Sequence, residues 1–262
     1  MKVLVLGTSH VGAFLLARDE IRADFPDIEV SYFGLPGDVF SRAVAHNGIF
    51  RTENADDRLF EWNEAREIDL RPFDQILLTG TRFMWLLVMR LFATRDVLDE
   101  PQRRGLALIS RPALTAFIDA AVEDAVAGLF NRIPPDPRIT VLPAPYPLVR
   151  SWKPGFGHEP IVTAASQMDT IGVWTGLYED AILTHLAAQG MGFIAQPQDT
   201  RADPIRSQNR FARANSSAEE VGNRVDNRHL NADYGRHAFS HYAQSTLGLT
   251  PAAAQKDLDG AP

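Results

Sequence analysis

The chain has 262 residues, 45% of them hydrophobic and 23% charged, enough to bury a large core within one α/β unit that carries insertions. A formal net charge of −7 and a pI near 5.5 argue against attraction to nucleic acid or an anionic membrane through bulk charge. Without cysteine there is no disulfide framework, no thiolate nucleophile and no cysteine metal site, so covalent chemistry falls to another side chain.

The first apolar run, Val3 to Leu6, is short and rich in β-branched residues, is closed by Gly7, and gives way to the helix-forming Val11 to Ala17. It reads as strand, tight turn, helix. A second strand is expected over Ile28 to Phe33, stopping at Gly34-Leu35-Pro36-Gly37, and a third over Gln75 to Leu78, stopping at Thr79-Gly80-Thr81. Ser110 and Pro112 open a long helix with apolar positions Leu114, Phe117, Ile118, Ala121, Val122, Ala125 and Leu129. Ile139 to Leu142 reads as strand four. Thr170 to Gln189 holds another amphipathic helix ending at Gly190, Gly192 to Ala195 a fifth strand, and the last helix starts after Asn231.

Strands alternating with helices predict a three-layer α/β/α fold with a mainly parallel five-stranded sheet, whose ligands gather beyond the carboxyl edge of the strands. Residues 1–249 are expected to form one domain, with polar insertions near 40–72 and 201–224, and residues 250–262 a frayed tail. The apolar start is too short for a signal-peptide core and no run reaches the ~18 residues of a membrane span. The expectation is a cytoplasmic protein with no membrane or nucleic-acid partner; the oligomeric state is open.

Asp226 and His229, in Asp226-Asn227-Arg228-His229-Leu230-Asn231, sit three apart, close enough for the carboxylate to accept from the imidazole N–H. Gly7-Thr8-Ser9-His10 supplies a serine directly after the first strand. A serine hydroxyl needs a neighbouring base, and the base works best when a carboxylate fixes its tautomer, so Ser9, His229 and Asp226 read as nucleophile, base and base-orienter. Blander readings stand beside these. Ser9 is also a good N-cap for the first helix, and His10 either contacts substrate or covers the helix start. Trp62, Trp85, Trp152 and Trp174 read as core or lid packing. Arg206, Arg210 and Arg213 recur near helical spacing, as on a solvated face, and His237 with His241 lacks a third metal ligand.

Together these residues resemble the SGNH (GDSL-like) hydrolase superfamily, through four ordered blocks that run from one end of the chain to the other. Gly7-Thr8-Ser9 stands for its Gly-Asp-Ser, with Thr8 at the aspartate position. Gly37 corresponds to the second block, with Gly34 competing, Gly80-Thr81-Arg82 to its Gly-x-Asn, and Asp226 to His229 to its Asp-x-x-His. The resemblance implies an oxyanion hole made by the N–H groups of Ser9 and Gly37, with Arg82 where the family has asparagine. Gly80 and His10 then become candidate substrate contacts. It implies a serine esterase acting on a small-molecule or carbohydrate ester, with no metal or cofactor. An O-acyltransferase on the same fold is the near alternative, since water and an acceptor hydroxyl compete for the same acyl-serine. A dinucleotide-binding loop fits less well, because Ser9 takes the place of its middle glycine and no acidic residue follows the second strand. A binding protein with a decayed site is the remaining alternative.

Overall fold

The computed structural model describes residues 1–52, 54, 57, 59–63, 65–101, 104–149, 159–213 and 229–252. Five strands form its central sheet: β1 (Lys2–Gly7), β2 (Glu29–Gly34), β3 (Gln75–Thr79), β4 (Ile139–Leu142) and β5 (Gly192–Phe193). Their order is β5-β4-β3-β1-β2 and every pairing is parallel. The expected strands recur within a residue or two, although β5 keeps only two of the four residues foreseen.

Strand pleating sends alternate side chains to opposite faces, and the core divides accordingly. Leu4, Leu6, Ile76, Leu78, Ile139 and Val141 face one cluster, covered by α4 (Trp85–Thr94), α5 (Arg111–Phe130), α6 (Glu159–Ser166) and α7 (Ile171–Ala187). Val3, Val5, Leu77 and Leu142 face the other, covered by α1 (Val11–Leu16), α2 (Arg18–Asp24) and α8 (Ala232–Leu247). The result is the three-layer α/β/α arrangement. Helix α5 begins as its sequence requires: Ser110 Oγ accepts from the Ala113 N–H, and Pro112 occupies the first turn, where a missing N–H costs nothing. Among the described residues no helix is long and apolar enough to cross a membrane.

The stretch 40–72, expected as a polar loop, contains a small antiparallel sheet. Its strands are Val44–His46, Ile49–Arg51 and Glu67–Asp69. Phe50 is fully buried between Phe33 and Phe40, which seats this sheet on the main core. The described part of the second insertion, 201–213, holds a hairpin, Arg201–Asp203 with Arg206–Ser207, and a 3-10 turn, Asn209–Phe211, while 214–224 lie outside the described residues. The arginine spacing there is therefore not helical. Arg206 sits in the hairpin and pairs with Asp203, and Arg210 lies in the turn. Of the expected tail, 253–262 lies outside the described residues.

Candidate active site

In the sheet order found here the chain reverses direction of winding between β1 and β3, and the crevice beyond that junction is where such folds gather ligands. Ser9 follows β1 and Gly80 follows β3. The two turns touch. Gly80 takes φ +93°, and a Cβ there would lie 2.0 Å from Thr8 Oγ1 and 3.2 Å from His10 Cδ2, so only glycine lets the β3 turn close against the serine turn. Thr8 buries its hydroxyl with no hydrogen-bond partner among the described residues.

The last helix returns to this point. His229 Nε2 lies 2.7 Å from Ser9 Oγ, within hydrogen-bond distance, and both residues are partly exposed. Three features hold His229 there. Asn231 caps α8 through its side chain, which accepts from Tyr234 N–H at 3.1 Å and donates to the Arg210 carbonyl at 2.9 Å. Leu230 bridges Ala212 in antiparallel fashion, and the Asn231 N–H donates to the Phe211 carbonyl. Gly235 brings α8 against the α1 backbone, since a Cβ there would sit 2.2 Å from the Ala13 carbonyl oxygen.

The segment leading to Ala212, which Leu230 bridges, is itself anchored by a buried polar network. The Gln196 side chain accepts from Tyr146 N–H and donates to Thr200 and Ser207, and Ser207 donates to the Tyr146 carbonyl. Arg201 donates to Glu179 at 2.8 Å and to the Gln196 carbonyl, with its guanidinium over the Tyr146 ring. Burial holds the Tyr146 phenol well above its ordinary pKa, and the Glu179 carboxylate beside it pushes the same way, so it stays a donor to Glu179. These residues carry little signal in sequence, because the bonds that tie Tyr146, Glu179 and Ser207 into the network span 11 to 61 positions.

Of the residues singled out from sequence, Ser9, His10, Gly80 and His229 come together. The His10 and His229 rings have centroids 5.6 Å apart, and His10 is nearly buried at the start of α1. Asp226 lies outside the described residues. Arg82 is exposed on the turn leaving β3, where Phe83 and Met84 both adopt positive φ, a costly conformation for non-glycine residues. That turn is pinned by Tyr178, whose hydroxyl donates to the carbonyls of Arg82 and Phe83. Gly37 opens the short helix α3 (Gly37–Phe40), and Gly34 is the last residue of β2.

Asn63 is a residue the sequence reading missed. Its amide accepts from the Gly34 N–H at 3.3 Å and donates to the Gly34 carbonyl at 2.5 Å, closing the open edge of β2 beside the serine turn. The Gly34 N–H is thereby engaged. Trp174 is fully buried, as a core tryptophan should be, whereas Trp62 is 37% exposed. His237 meets Asp199 at 3.1 Å, and no cluster of three or more potential metal ligands occurs among the described residues.

No family model matches the chain. No curated protein matches either. Among solved structures, an extracellular lipase from Streptomyces rimosus is 12% identical, with 91% of this chain and 96% of that one covered and a TM-score of 0.36. A phospholipase A1 from Streptomyces albidoflavus NA297 is also 12% identical, covering 91% and 95%, with a TM-score of 0.36. A DUF4886 family protein from Bacteroides uniformis ATCC 8492 is 13% identical, covering 94% and 83%, with a TM-score of 0.39. Likenesses this distant carry no argument about activity.

Proposed function

We infer that the protein is a serine ester hydrolase of the SGNH type, acting on a small acyl ester of a polar or carbohydrate alcohol through an acyl-serine. The observation that carries this reading is the 2.7 Å contact between Ser9 Oγ and His229 Nε2 at the carboxyl edge of the sheet. A serine capping a helix would need no imidazole, and a phosphate-binding loop would not occupy its central side chain with one.

In this reading Ser9 Oγ attacks the ester carbonyl as its proton passes to His229 Nε2. Asp226, three residues upstream, is assigned the opposite ring nitrogen, where it holds the tautomer and supports the imidazolium. The oxyanion is assigned to the N–H groups of Ser9 and Gly37, neither of which donates to a backbone carbonyl among the described residues, with the Arg82 guanidinium as third donor. The protonated His229 then gives its proton to the departing alcohol oxygen. A water, activated by the same nitrogen, attacks the acyl-serine carbonyl and releases the acid. An acceptor alcohol in place of that water would turn the same site to transfer.

A fluorophosphonate probe tests the assignment directly. One covalent adduct on Ser9, read by peptide mass spectrometry and absent in His229→Ala, is the expected result; an unlabelled Ser9 in folded protein overturns it. Asp226→Ala is expected to lower kcat on p-nitrophenyl acetate by about 10⁴-fold, by the logic of a base left in the wrong tautomer.

A further inference from the structure

The aromatic pair on the first insertion stands next to the serine turn and is used by nothing described so far. Phe60 and Trp62 stack face to face, with centroids 4.1 Å apart and planes 14° from parallel, yet Trp62 remains 37% exposed. Two contacts fix its position. Asn63, the next residue, clasps both polar groups of Gly34, and a Cβ at Gly34 would lie 3.3 Å from the Thr8 carbonyl oxygen. Trp62 Cη2 lies 3.9 Å from the position a Cβ would take on Gly12.

Gly12 is three residues beyond Ser9 and donates its N–H to the Ser9 carbonyl at 3.1 Å. That bond closes a single turn, which keeps the two Cα atoms under about 7 Å apart, so the indole tip lies on the order of 10 Å from the Ser9 side chain. One sugar ring with its acyl group bridges that span. The insertion that carries it is polar: Glu61 is exposed, and Arg42 and Arg66 both donate to Asp57. An apolar ring face set among charged and amide groups suits a pyranose, which offers C–H groups to the ring and hydroxyls to its rim. A fatty chain would require continuous apolar walls.

We propose that the Phe60–Trp62 stack is the alcohol-side subsite of the Ser9 centre, with the exposed indole face receiving the pyranose ring of an acylated sugar. This rests on the ester hydrolase reading, and the experiment separates the two. The substrates are a mono-acetylated methyl glucopyranoside, p-nitrophenyl acetate and p-nitrophenyl octanoate. In Trp62→Ala the ratio of kcat/KM for the sugar ester to that for p-nitrophenyl acetate is expected to fall roughly tenfold or more, chiefly through KM, and Trp62→Phe to recover part of it. In the Ser9→Ala protein the acetylated glucoside is expected to change tryptophan emission saturably, and adding Trp62→Phe to abolish that change. An unaltered ratio with emission still responding overturns the proposal, as does a larger loss on the octanoate than on the sugar ester. Should Trp62→Ala misfold, Trp62→Phe and Phe60→Leu give the same comparison. If the native enzyme cleaves no ester and Ser9 takes no probe, the hydrolase reading fails, and the emission titration alone judges the subsite.

Discussion

Replacing Gly235 with alanine sets two effects of opposite sign against each other. Within a helix, alanine is favoured over glycine by about 1 kcal/mol. Against this, the new methyl would lie 2.2 Å from the Ala13 carbonyl oxygen, 2.4 Å from its carbon and 2.8 Å from the Phe14 nitrogen. All three are backbone atoms of α1, so no rotamer relieves the clash, and an overpacking cost near the upper end of the usual range, about 3 kcal/mol, applies. The net loss is about 2 kcal/mol, or a fall in Tm of about 4–8 °C for a chain of this size. Restoring ordinary contact requires α8 to retreat by about 1 Å, and a base moved that far from its serine loses roughly 10²-fold in rate. Gly176, in α7, is the control. A Cβ there meets nothing within 4 Å, so Gly176→Ala is expected to raise Tm by about 2–4 °C with activity intact. Thermal scans and p-nitrophenyl acetate turnover on both variants decide the matter. A Gly235→Ala protein as stable and active as the native one would refute the close seating of α8 on α1.

Three further outcomes follow from the same geometry. Arg82→Ala is expected to lower kcat on p-nitrophenyl acetate by about 10²-fold with KM little changed, the signature of a lost oxyanion donor; a rise in KM alone would make Arg82 a substrate-binding group. Glu179→Ala strands the guanidinium of Arg201, which is 5% exposed, and is expected to cost about 3 kcal/mol by chemical denaturation; equal stability would show the network to be dispensable. The Thr52 hydroxyl, and after it the Arg42 guanidinium, hold the Asp57 carboxylate below its ordinary range. A depressed pKa stabilises the folded state above the unfolded value of about 3.9, and that contribution is lost as the pH falls through the lower folded value. Trp62 emission is expected to report loosening of the first insertion below about pH 4, and Asp57→Asn to abolish that pH dependence.

The parts legible in the sequence were those whose cause is local. β1, β2 and β3 announce themselves as runs closed by glycine or threonine turns, β4 as an apolar run closed by Pro143, and Ser110 with Pro112 marks the start of α5 within a few residues of the cap it makes. Asn231 is legible for the same reason, since a cap acts on amides two or three positions ahead. The small sheet of the first insertion was not. Its strands are three residues long, and Ile49–Arg51 finds its second partner at Glu67–Asp69, across a stretch of charged residues with no alternation to betray it. The Asn63 clasp and the Arg201 network were hidden likewise, because a polar residue carries no mark of a partner dozens of positions away. The juxtaposition of Ser9 with His229 was legible only as chemistry, through the residue types at the two ends, and the packing that achieves it depends on a glycine, Gly235, whose meaning appears only against α1.

Ser9 and His229 are 220 residues apart along the chain. Ser9 precedes β2, β3 and α8 in chain order, so β1, β2 and β3 can pair around it before α8 has been made. On the proposed reading, a chain that still lacks α8 carries an inert hydroxyl, and the reactive centre forms only when α8 docks. Activity is thus a readout of completed folding: a truncated or misassembled product would be not merely unstable but chemically silent.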